Sequence, residues 1–300
     1  MSTAQPQAPA IPGTTPKGFL GAGGFADVFL YEQAVPRRDV AVKVIRQGTT
    51  PAQRAHFEAE ANLMARMSSH PSILSVYGAG TVEGGRNYLM MEYCPPPHLG
   101  RRAAAHPLSV AQALEVGIQV AGAVETIHRA GYLHRDIKPG NLMLDAYGRP
   151  VLGDFGVAAR VGALESGLVD GFSVLWAPPE QQDGTGPFGP AIDVYSLAAT
   201  VHGVLTGHSP FEVPGGDNRE LSVLNRVLRS QVPPTGRTDV PAELERILAI
   251  AMSKDQGRRY QSAREFAHAL QNVQSSLRLS PTPFEAMGME APTGPYHDDE

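Results

Sequence analysis

The chain has 300 residues, 42% of them hydrophobic and 18% charged, which is ordinary for a soluble globular protein of one large or two small domains. The net charge of −5 comes from acids after residue 278, so the nearly neutral remainder predicts neither a nucleic-acid nor an anionic-membrane partner. Cys94 is the only cysteine, which excludes an internal disulfide, and no apolar run approaches the roughly 20 residues of a membrane span, so we expect a soluble, cytoplasmic protein.

The first part of the chain predicts a leader followed by strands. Residues 1–16 are rich in proline and alanine and poor in large apolar side chains, so we predict a disordered leader. Short strands are predicted at 27–31, 39–45 and 87–93, with glycine-rich turns between them. One helix interrupts the strands after Pro51, and Glu60 falls on its apolar stripe. A carboxylate in that position needs a cationic partner.

The second part of the chain predicts helices. Three prolines at 95–97 mark a boundary, and Ser109 suits the cap of the helix that follows. Further helices are predicted at 191–206, 217–230, 241–252 and 262–277. Residues 275–300 return to proline, glycine and acid and predict a flexible tail. The overall prediction is an α+β fold with two lobes, a strand-rich lobe at 17–93 and a helical lobe at 95–274.

Two features of the strand-rich lobe suggest phosphate chemistry. The loop at 20–28 (LGAGGFADV) has glycines that let the backbone approach phosphate oxygens, although glycine-rich hairpins are common without that role. Lys43 lies on an apolar strand, where a snorkelling surface lysine is the ordinary interpretation. An ion pair with Glu60 would instead satisfy the buried acid and hold the ammonium near phosphate oxygens.

The most specific motif is HRDIKPGN at 134–141, followed by DFG at 154–156. It places a carboxylate, a lysine and an amide within a few positions between apolar neighbours. We expect Asp136 to accept a hydroxyl proton and Lys138 to lie near the transferred phosphate. Asn141 and Asp154 offer oxygen ligands for magnesium. These are the requirements of phosphoryl transfer.

In this order the glycine loop, VAVK, HRDIKPGN, DFG and PPE resemble the signature set of the eukaryotic-like (Hanks-type) serine/threonine protein kinases of bacteria, over about residues 17–274. The resemblance implies ATP and Mg²⁺, or Mn²⁺, as cofactors and serine or threonine residues of proteins as acceptors. It implies that Glu180 pairs with Arg259 and that Asp193 braces the catalytic loop. It also implies a nucleotide pocket formed by Leu20, Gly21, Ala22, Gly23, Gly24, Phe25, Ala26, Val28, Ala41, Lys43, Met91, Glu92, Cys94, Met143 and Asp154.

The activation segment departs most from the family pattern. Arg135 implies a phosphate on this segment, yet its only hydroxyl side chains before Trp176 are Ser166 and Ser173. By the resemblance Ser173 should hydrogen-bond Asp136 and Lys138, which leaves Ser166 as the candidate switch. Glu165 or Asp170 could instead pair with Arg135, so we hypothesise a weakly switched loop.

Two other classes of protein stay open. A pseudokinase scaffold would keep the fold without the chemistry, and two features favour it: Ala26 in place of the third loop glycine and the altered segment before Glu180. The intact Lys43, Asp136 and Asp154 argue against it. A small-molecule phosphotransferase shares the catalytic aspartates but lacks the Lys138–Pro139 pair and the PPE segment, so it ranks lower.

Overall fold

The computed structural model describes residues 6–156, 158–160, 173–185 and 187–288. Within this part of the chain the first lobe is an antiparallel sheet in the order β1-β2-β3-β5-β4, packed against one long helix. Its elements are β1 (Thr14–Gly23), β2 (Ala26–Gln33), β3 (Arg38–Ile45), α1 (Pro51–Met67), β4 (Val76–Val82) and β5 (Arg86–Glu92). The predicted strands correspond to β2, β3 and β5.

Alternation along β3 gives the sheet two apolar faces. Successive side chains of a strand point to opposite sides. Val40, Val42 and Val44 belong to the outer apolar cluster, whereas Ala41 and Ile45 belong to the inner one. Lys43 lies between the last two and therefore shares the inner face, which turns toward the second lobe. The position of this lysine follows from the period of the strand.

The segment before β1 covers the outer face of the sheet. Ile11 is buried with only 4% of its surface exposed, and Ala8 packs against the same cluster. The Tyr31 hydroxyl donates a hydrogen bond to the Pro9 carbonyl at 2.6 Å. The predicted leader over residues 1–16 is therefore wrong in its boundary, because these contacts order the chain from residue 6 onward. A single isoleucine among prolines gave no periodic signal.

Helix α1 begins with a capping box. The Thr50 side chain accepts the Gln53 backbone N–H, the Gln53 side chain accepts the Thr50 backbone N–H, and Pro51 occupies the first turn. The apolar stripe then buries Phe57, Met64 and other residues against the inner face of the sheet. This packing fixes the rotation of α1 and points Glu60, on the same stripe, toward the sheet.

The second lobe is built around two long helices, α3 (Val110–Arg129) and α5 (Pro190–Thr206). A Cβ on Gly117 of α3 would lie 2.9 Å from the Val201 side chain of α5, so this glycine permits close packing of the pair. None of the helices in the described residues is long and apolar enough to cross a membrane. The other elements are α2 (Leu99–Ala105), β6 (Tyr132–Leu133), β7 (Leu142–Leu144), β8 (Pro150–Leu152), β9 (Ala159–Arg160), α4 (Pro179–Asp183), α6 (Glu220–Arg229), α7 (Ala242–Ala251) and α8 (Ala263–Ser276).

Residues 279–288, which we call the C-terminal segment, pack back onto the second lobe. Thr282 exchanges hydrogen bonds with the Gln274 side chain at 2.7 and 2.8 Å. The Glu285 carbonyl accepts a hydrogen bond from His70 Nε2 at 2.9 Å, and a Cβ on Gly122 would overlap that carbonyl. The predicted flexible tail over 275–300 is therefore wrong for residues 275–288. Residues 275 and 276 end helix α8, and side-chain contacts anchor residues 279–288 without any helical or strand pattern. Its later acids lie outside the described residues.

Candidate active site

A cleft of about 500 Å³ separates the two lobes. Its roof is the hairpin between β1 and β2, its back is the connector after β5, and its floor includes Met143 of β7. The lining is mainly apolar, as expected for a site that binds a flat aromatic ligand. Most residues of the predicted nucleotide pocket line it, namely Leu20, Gly21, Ala22, Gly23, Ala26, Val28, Ala41, Lys43, Met91, Glu92, Cys94, Met143 and Asp154.

The lining differs from the predicted pocket in both directions. Gly24 and Phe25 are not part of it, because Gly24 forms the turn at the hairpin tip with φ of +44° and the Phe25 ring packs edge-on against His56 of α1. Helical spacing from Glu60 could have found Met64, and strand spacing from Met91 could have found Leu89, whereas Leu74 and His98 carry no local signal. The residues that sequence reasoning missed are Met64, Leu74, Leu89, Tyr93, Pro95, Pro96, His98 and Gly140.

The structure contains the ion pair between Lys43 and Glu60. Lys43 Nζ lies 2.7 Å from Glu60 Oε1 and 2.9 Å from Oε2. The Glu60 side chain is only 3% exposed and the Lys43 side chain 20% exposed, on the wall of the cleft. Both carboxylate oxygens of the buried acid are therefore satisfied, and the ammonium keeps its open side toward the cleft.

Hydrogen bonds hold both oxygens of the Asp136 carboxylate. Lys138 Nζ donates to Oδ2 at 2.6 Å, and Asn141 Nδ2 donates to the same oxygen at 2.9 Å. The Ser173 backbone N–H donates to Oδ1 at 3.1 Å. Lys138 Nζ also lies 2.6 Å from Ser173 Oγ. The structure thus brings together Asp136, Lys138, Asn141 and Ser173, and it contains the predicted hydrogen bonds of Ser173 with Asp136 and Lys138.

A buried aspartate on α5 organises the turn that carries Asp136. Asp193 is fully buried, and its carboxylate accepts the backbone N–H groups of His134 and Arg135, each at 2.8 Å. It also pairs with His128 Nε2 at 2.8 Å. Burial alone would raise the pKa of Asp193, but the hydrogen bonds from His128 and Arg135 and the nearby histidines outweigh it and lower the pKa. The carboxylate is therefore ionised and fixes the backbone leading to Asp136.

Two oxygen donors suited to magnesium lie at the end of the cleft. The amide nitrogen of Asn141 donates to the Asp136 carbonyl at 2.8 Å and to its carboxylate, so the amide orients its oxygen away from these acceptors. Asp154 is exposed on the cleft wall, and its backbone adopts the left-handed conformation with a φ of +59°. The Gly153 N–H donates to the Asn141 carbonyl at 3.0 Å and keeps the two segments adjacent. Amide and carboxylate oxygens fit magnesium, which takes its other ligands from phosphates and water.

Arg135 is the residue that the sequence predicted to answer a phosphate on the activation segment, and this role stays a prediction. Its backbone has a φ of +70°, and its carbonyl accepts a hydrogen bond from Gln181 at 2.8 Å. Burial lowers the pKa of the Arg135 guanidinium, and the nearby Asp193 carboxylate opposes that shift. The candidate switch Ser166 lies outside the described residues, as do Glu165 and Asp170, so the weakly switched loop stays a prediction.

A second buried ion pair ties the PPE segment to the end of the lobe. Arg259 donates to both Glu180 oxygens, at 2.6 and 2.8 Å. Its Nε also donates to the Ser253 carbonyl at 2.7 Å. The Arg259 side chain is 0% exposed and the Glu180 side chain 6% exposed. The predicted pairing is present, and it holds the segment that follows Ser173.

Cys94 lies at the connector between the lobes, where the resemblance placed backbone contacts to adenine. Its side chain is half-buried on the cleft wall. Burial raises the pKa of the thiol to about 12, with smaller contributions from Glu92 and Asp145. The thiol therefore stays protonated near neutral pH, and its role is packing.

Fold and site together define a protein of two lobes, with a cluster of charged and polar side chains beside the cleft between them. The profile of the protein kinase domain matches residues 15–288, so the chain belongs to the protein kinase domain family. This confirms the α+β bilobal fold and the resemblance inferred from the motifs.

Named relatives of this chain include bacterial serine/threonine-protein kinases. PknK of Mycobacterium bovis is 36% identical over 283 residues, which are 92% of this chain and 25% of that protein. PknJ of the same organism is 37% identical over 263 residues, 83% of this chain and 43% of that protein. PknB of Mycobacterium tuberculosis is 32% identical over 267 residues, 85% of this chain and 42% of that protein. The chain thus spans a quarter to less than half the length of these relatives.

Proposed function

We propose that this chain is an ATP-dependent serine/threonine protein kinase that works with Mg²⁺, or Mn²⁺, on protein substrates. The observation that carries the proposal is the hydrogen-bonded cluster of Asp136, Lys138, Asn141 and Ser173, which lies beside Gly140 of the cleft lining. A cytoplasmic location is part of the proposal, because ATP is the phosphate donor.

Each residue has a separate task in the proposed reaction. Asp136 accepts the proton of the substrate hydroxyl while the hydroxyl oxygen bonds to the γ-phosphorus and the bond to the ADP oxygen breaks. Lys43, fixed by Glu60, binds phosphate oxygens of ATP. Lys138 stabilises negative charge on the transferred group. Magnesium held by the oxygens of Asn141 and Asp154 would neutralise charge on the phosphates.

Transfer of labelled phosphate tests the proposal. The intact chain is incubated with labelled ATP, magnesium and a generic basic protein, and label on serine or threonine is expected. Asp136→Asn should lose about 10²-fold or more in turnover, because the general base is removed. Asp39→Asn is the matched control, since Asp39 lies in an exposed pair with Lys17 at 2.8 Å, away from the cleft.

A second pair of variants tests the ATP contact. Lys43→Met should lower turnover by at least about 10²-fold through loss of preorganised charge, whereas Lys17→Met should retain it. Near-normal turnover in Lys43→Met would mean that the assigned role is wrong. ATP binding without any transfer by the intact chain would instead indicate a pseudokinase scaffold.

A further inference from the structure

A smaller cavity of about 260 Å³ lies between α2, the turn after Lys138 and the end of α5. We call it the α2 groove. Most of its lining residues are small or apolar, and Arg101 and His98 complete it. The small or apolar set is Gly100, Ala103, Ala104, Pro139, Gly140, Trp176, Gly203 and Gly207.

Glycines keep the α2 groove open. A Cβ on Gly203 would overlap the Trp176 ring, so the indole packs directly against the α5 backbone and forms one wall. A Cβ on Gly100 would lie 3.1 Å from the Gly140 nitrogen, which leaves no room for a side chain there. Two walls of the groove therefore depend on the absence of a side chain at Gly203 and Gly100.

The α2 groove adjoins the reacting groups. Gly140 and His98 line both this groove and the cleft between the lobes. A Cβ on Gly140 would lie 3.8 Å from Lys138 Cε. On the other side of the groove, the backbone N–H of Trp176 donates a hydrogen bond to the backbone carbonyl of Ser173 at 2.9 Å. A polypeptide that presents its hydroxyl to Asp136 thus passes within one side-chain length of the groove.

The charge of the α2 groove discriminates between substrate side chains. Among the described residues that line it, none is a carboxylate, and Arg101 is a cation. Burial lowers the pKa of His98, and Arg101 adds to the effect, so His98 is neutral near pH 7. A lysine or arginine of a substrate would find no counter-ion here and would meet a like charge. An apolar side chain would instead bury its surface.

We propose that the α2 groove binds an apolar side chain of the protein substrate, close in sequence to the acceptor serine or threonine, and selects against a basic residue at that position. The proposal rests on the proposed kinase function and names the substrate class of the same site. The occupant is a leucine-, methionine- or phenylalanine-like side chain.

A peptide series measures this preference. Each peptide has one central serine, and each flanking position in turn carries alanine, leucine or lysine. For the intact chain, kcat/KM should rise about tenfold from alanine to leucine at one flanking position, the usual scale for a side chain entering an apolar pocket. The peptide with lysine at that position should have a lower kcat/KM than the peptide with alanine there. Equal rates at every position, or a preference for lysine, would overturn the proposal.

Two variants of α2 assign the preference to the groove. Ala104→Glu adds a carboxylate to the lining at an exposed helical position, so it should reverse the ratio of leucine to lysine peptides. Ala105→Glu makes the same change one residue further on, exposed but outside the lining, and should keep the parent ratio. A leucine preference that Ala104→Glu leaves unchanged would overturn the assignment.

Binding separates this proposal from the proposed function. The leucine and lysine peptides are also titrated against the intact chain in fluorescence anisotropy. If no peptide is phosphorylated but the leucine peptide binds about tenfold tighter than the lysine peptide, the kinase function fails and the groove assignment stands. If phosphate is transferred but the two peptides bind and react equally, the groove assignment fails alone.

Discussion

Replacement of Asp193 by asparagine tests how the catalytic turn is held. The carboxylate accepts three hydrogen bonds at 2.8 Å, from His128 Nε2 and from the backbone N–H groups of His134 and Arg135. An asparagine keeps one acceptor oxygen. If that oxygen takes the place of Oδ2, it still accepts the hydrogen bonds from His128 and His134. The amide NH₂ then faces the backbone N–H of Arg135, which loses its acceptor.

The cost follows from this count. A buried donor without a partner costs about 1–3 kcal/mol, and each remaining hydrogen bond loses about 1 kcal/mol when its acceptor becomes neutral. We expect Asp193→Asn to lower the free energy of unfolding by about 3–5 kcal/mol. Turnover should fall about 10²-fold, because a displacement of about 1 Å at Asp136 is enough for that effect.

Denaturant unfolding and steady-state phosphorylation measure both effects. Ser196→Ala is the control on the same helix. Ser196 is also buried, but its hydroxyl donates a hydrogen bond within its own helix, to the Ile192 carbonyl. Ser196→Ala should therefore lower the free energy of unfolding by less than about 1 kcal/mol and leave turnover unchanged. If the free energy of unfolding of Asp193→Asn lies within about 1 kcal/mol of the parent value and its turnover is normal, the reasoning is refuted.

The contribution of the Asp193 carboxylate to stability depends on pH in a definite direction. The pKa of Asp193 is lowered in the folded state, so its ionisation stabilises the fold above the unfolded pKa of about 3.9. That stabilisation is lost as the pH falls through the lower, folded pKa. The difference in the free energy of unfolding between the parent and Asp193→Asn should therefore be constant above about pH 5. It should become smaller only in more acidic solution. A gap that closes near neutral pH would contradict the assignment.

Three further measurements address other parts of the chain. Glu180→Gln should cost about 3–5 kcal/mol in denaturant unfolding because it leaves the Arg259 charge buried without its partner; a cost below about 1 kcal/mol, as for an exposed pair, would contradict this. Gly122→Ala should release the C-terminal segment, since the added Cβ would overlap the Glu285 carbonyl, and amide hydrogen exchange should speed up across residues 279–288. Gly78→Ala, with open space around its Cβ, is the control, and unchanged protection in Gly122→Ala would refute the contact. Cys94, whose pKa burial raises to about 12, should react with iodoacetamide at about pH 8 far more slowly than glutathione does; equal rates would show an accessible thiolate.

The sequence predicted the contacts of Lys43 with Glu60 and of Ser173 with Asp136 and Lys138, because the residue types in these motifs follow a fixed order. Phosphoryl transfer needs a carboxylate, cations and oxygen ligands in a fixed order, and the strand period then places Lys43 on the inner face. The helices α5, α7 and α8 were predicted to within one residue at each end, and the starts of α1 and α3 were also predicted, since apolar stripes and caps are local signals.

What the sequence did not predict depends on contacts between distant residues. Leu74 and His98 line the cleft because of how loops and α2 pack, and neither has a periodic neighbourhood. Strand β4 contains glycines and tyrosine and shows no alternation, so only its pairing with β5 identifies it. The C-terminal segment likewise depends on His70, far from it in the chain, which no local pattern can report.

The N-terminal cover of the sheet has a consequence for where the folding unit begins. The region shared with other kinases starts at residue 15, after Pro9 and Ile11, yet these residues close the outer face over Tyr31. A protein cut at the homology boundary would lose the burial of Ile11, about 1.5–3 kcal/mol, and would expose an apolar patch of valines and aromatics. Such a surface promotes aggregation, so the folding unit extends to the N-terminal side of the region that the family profile matches.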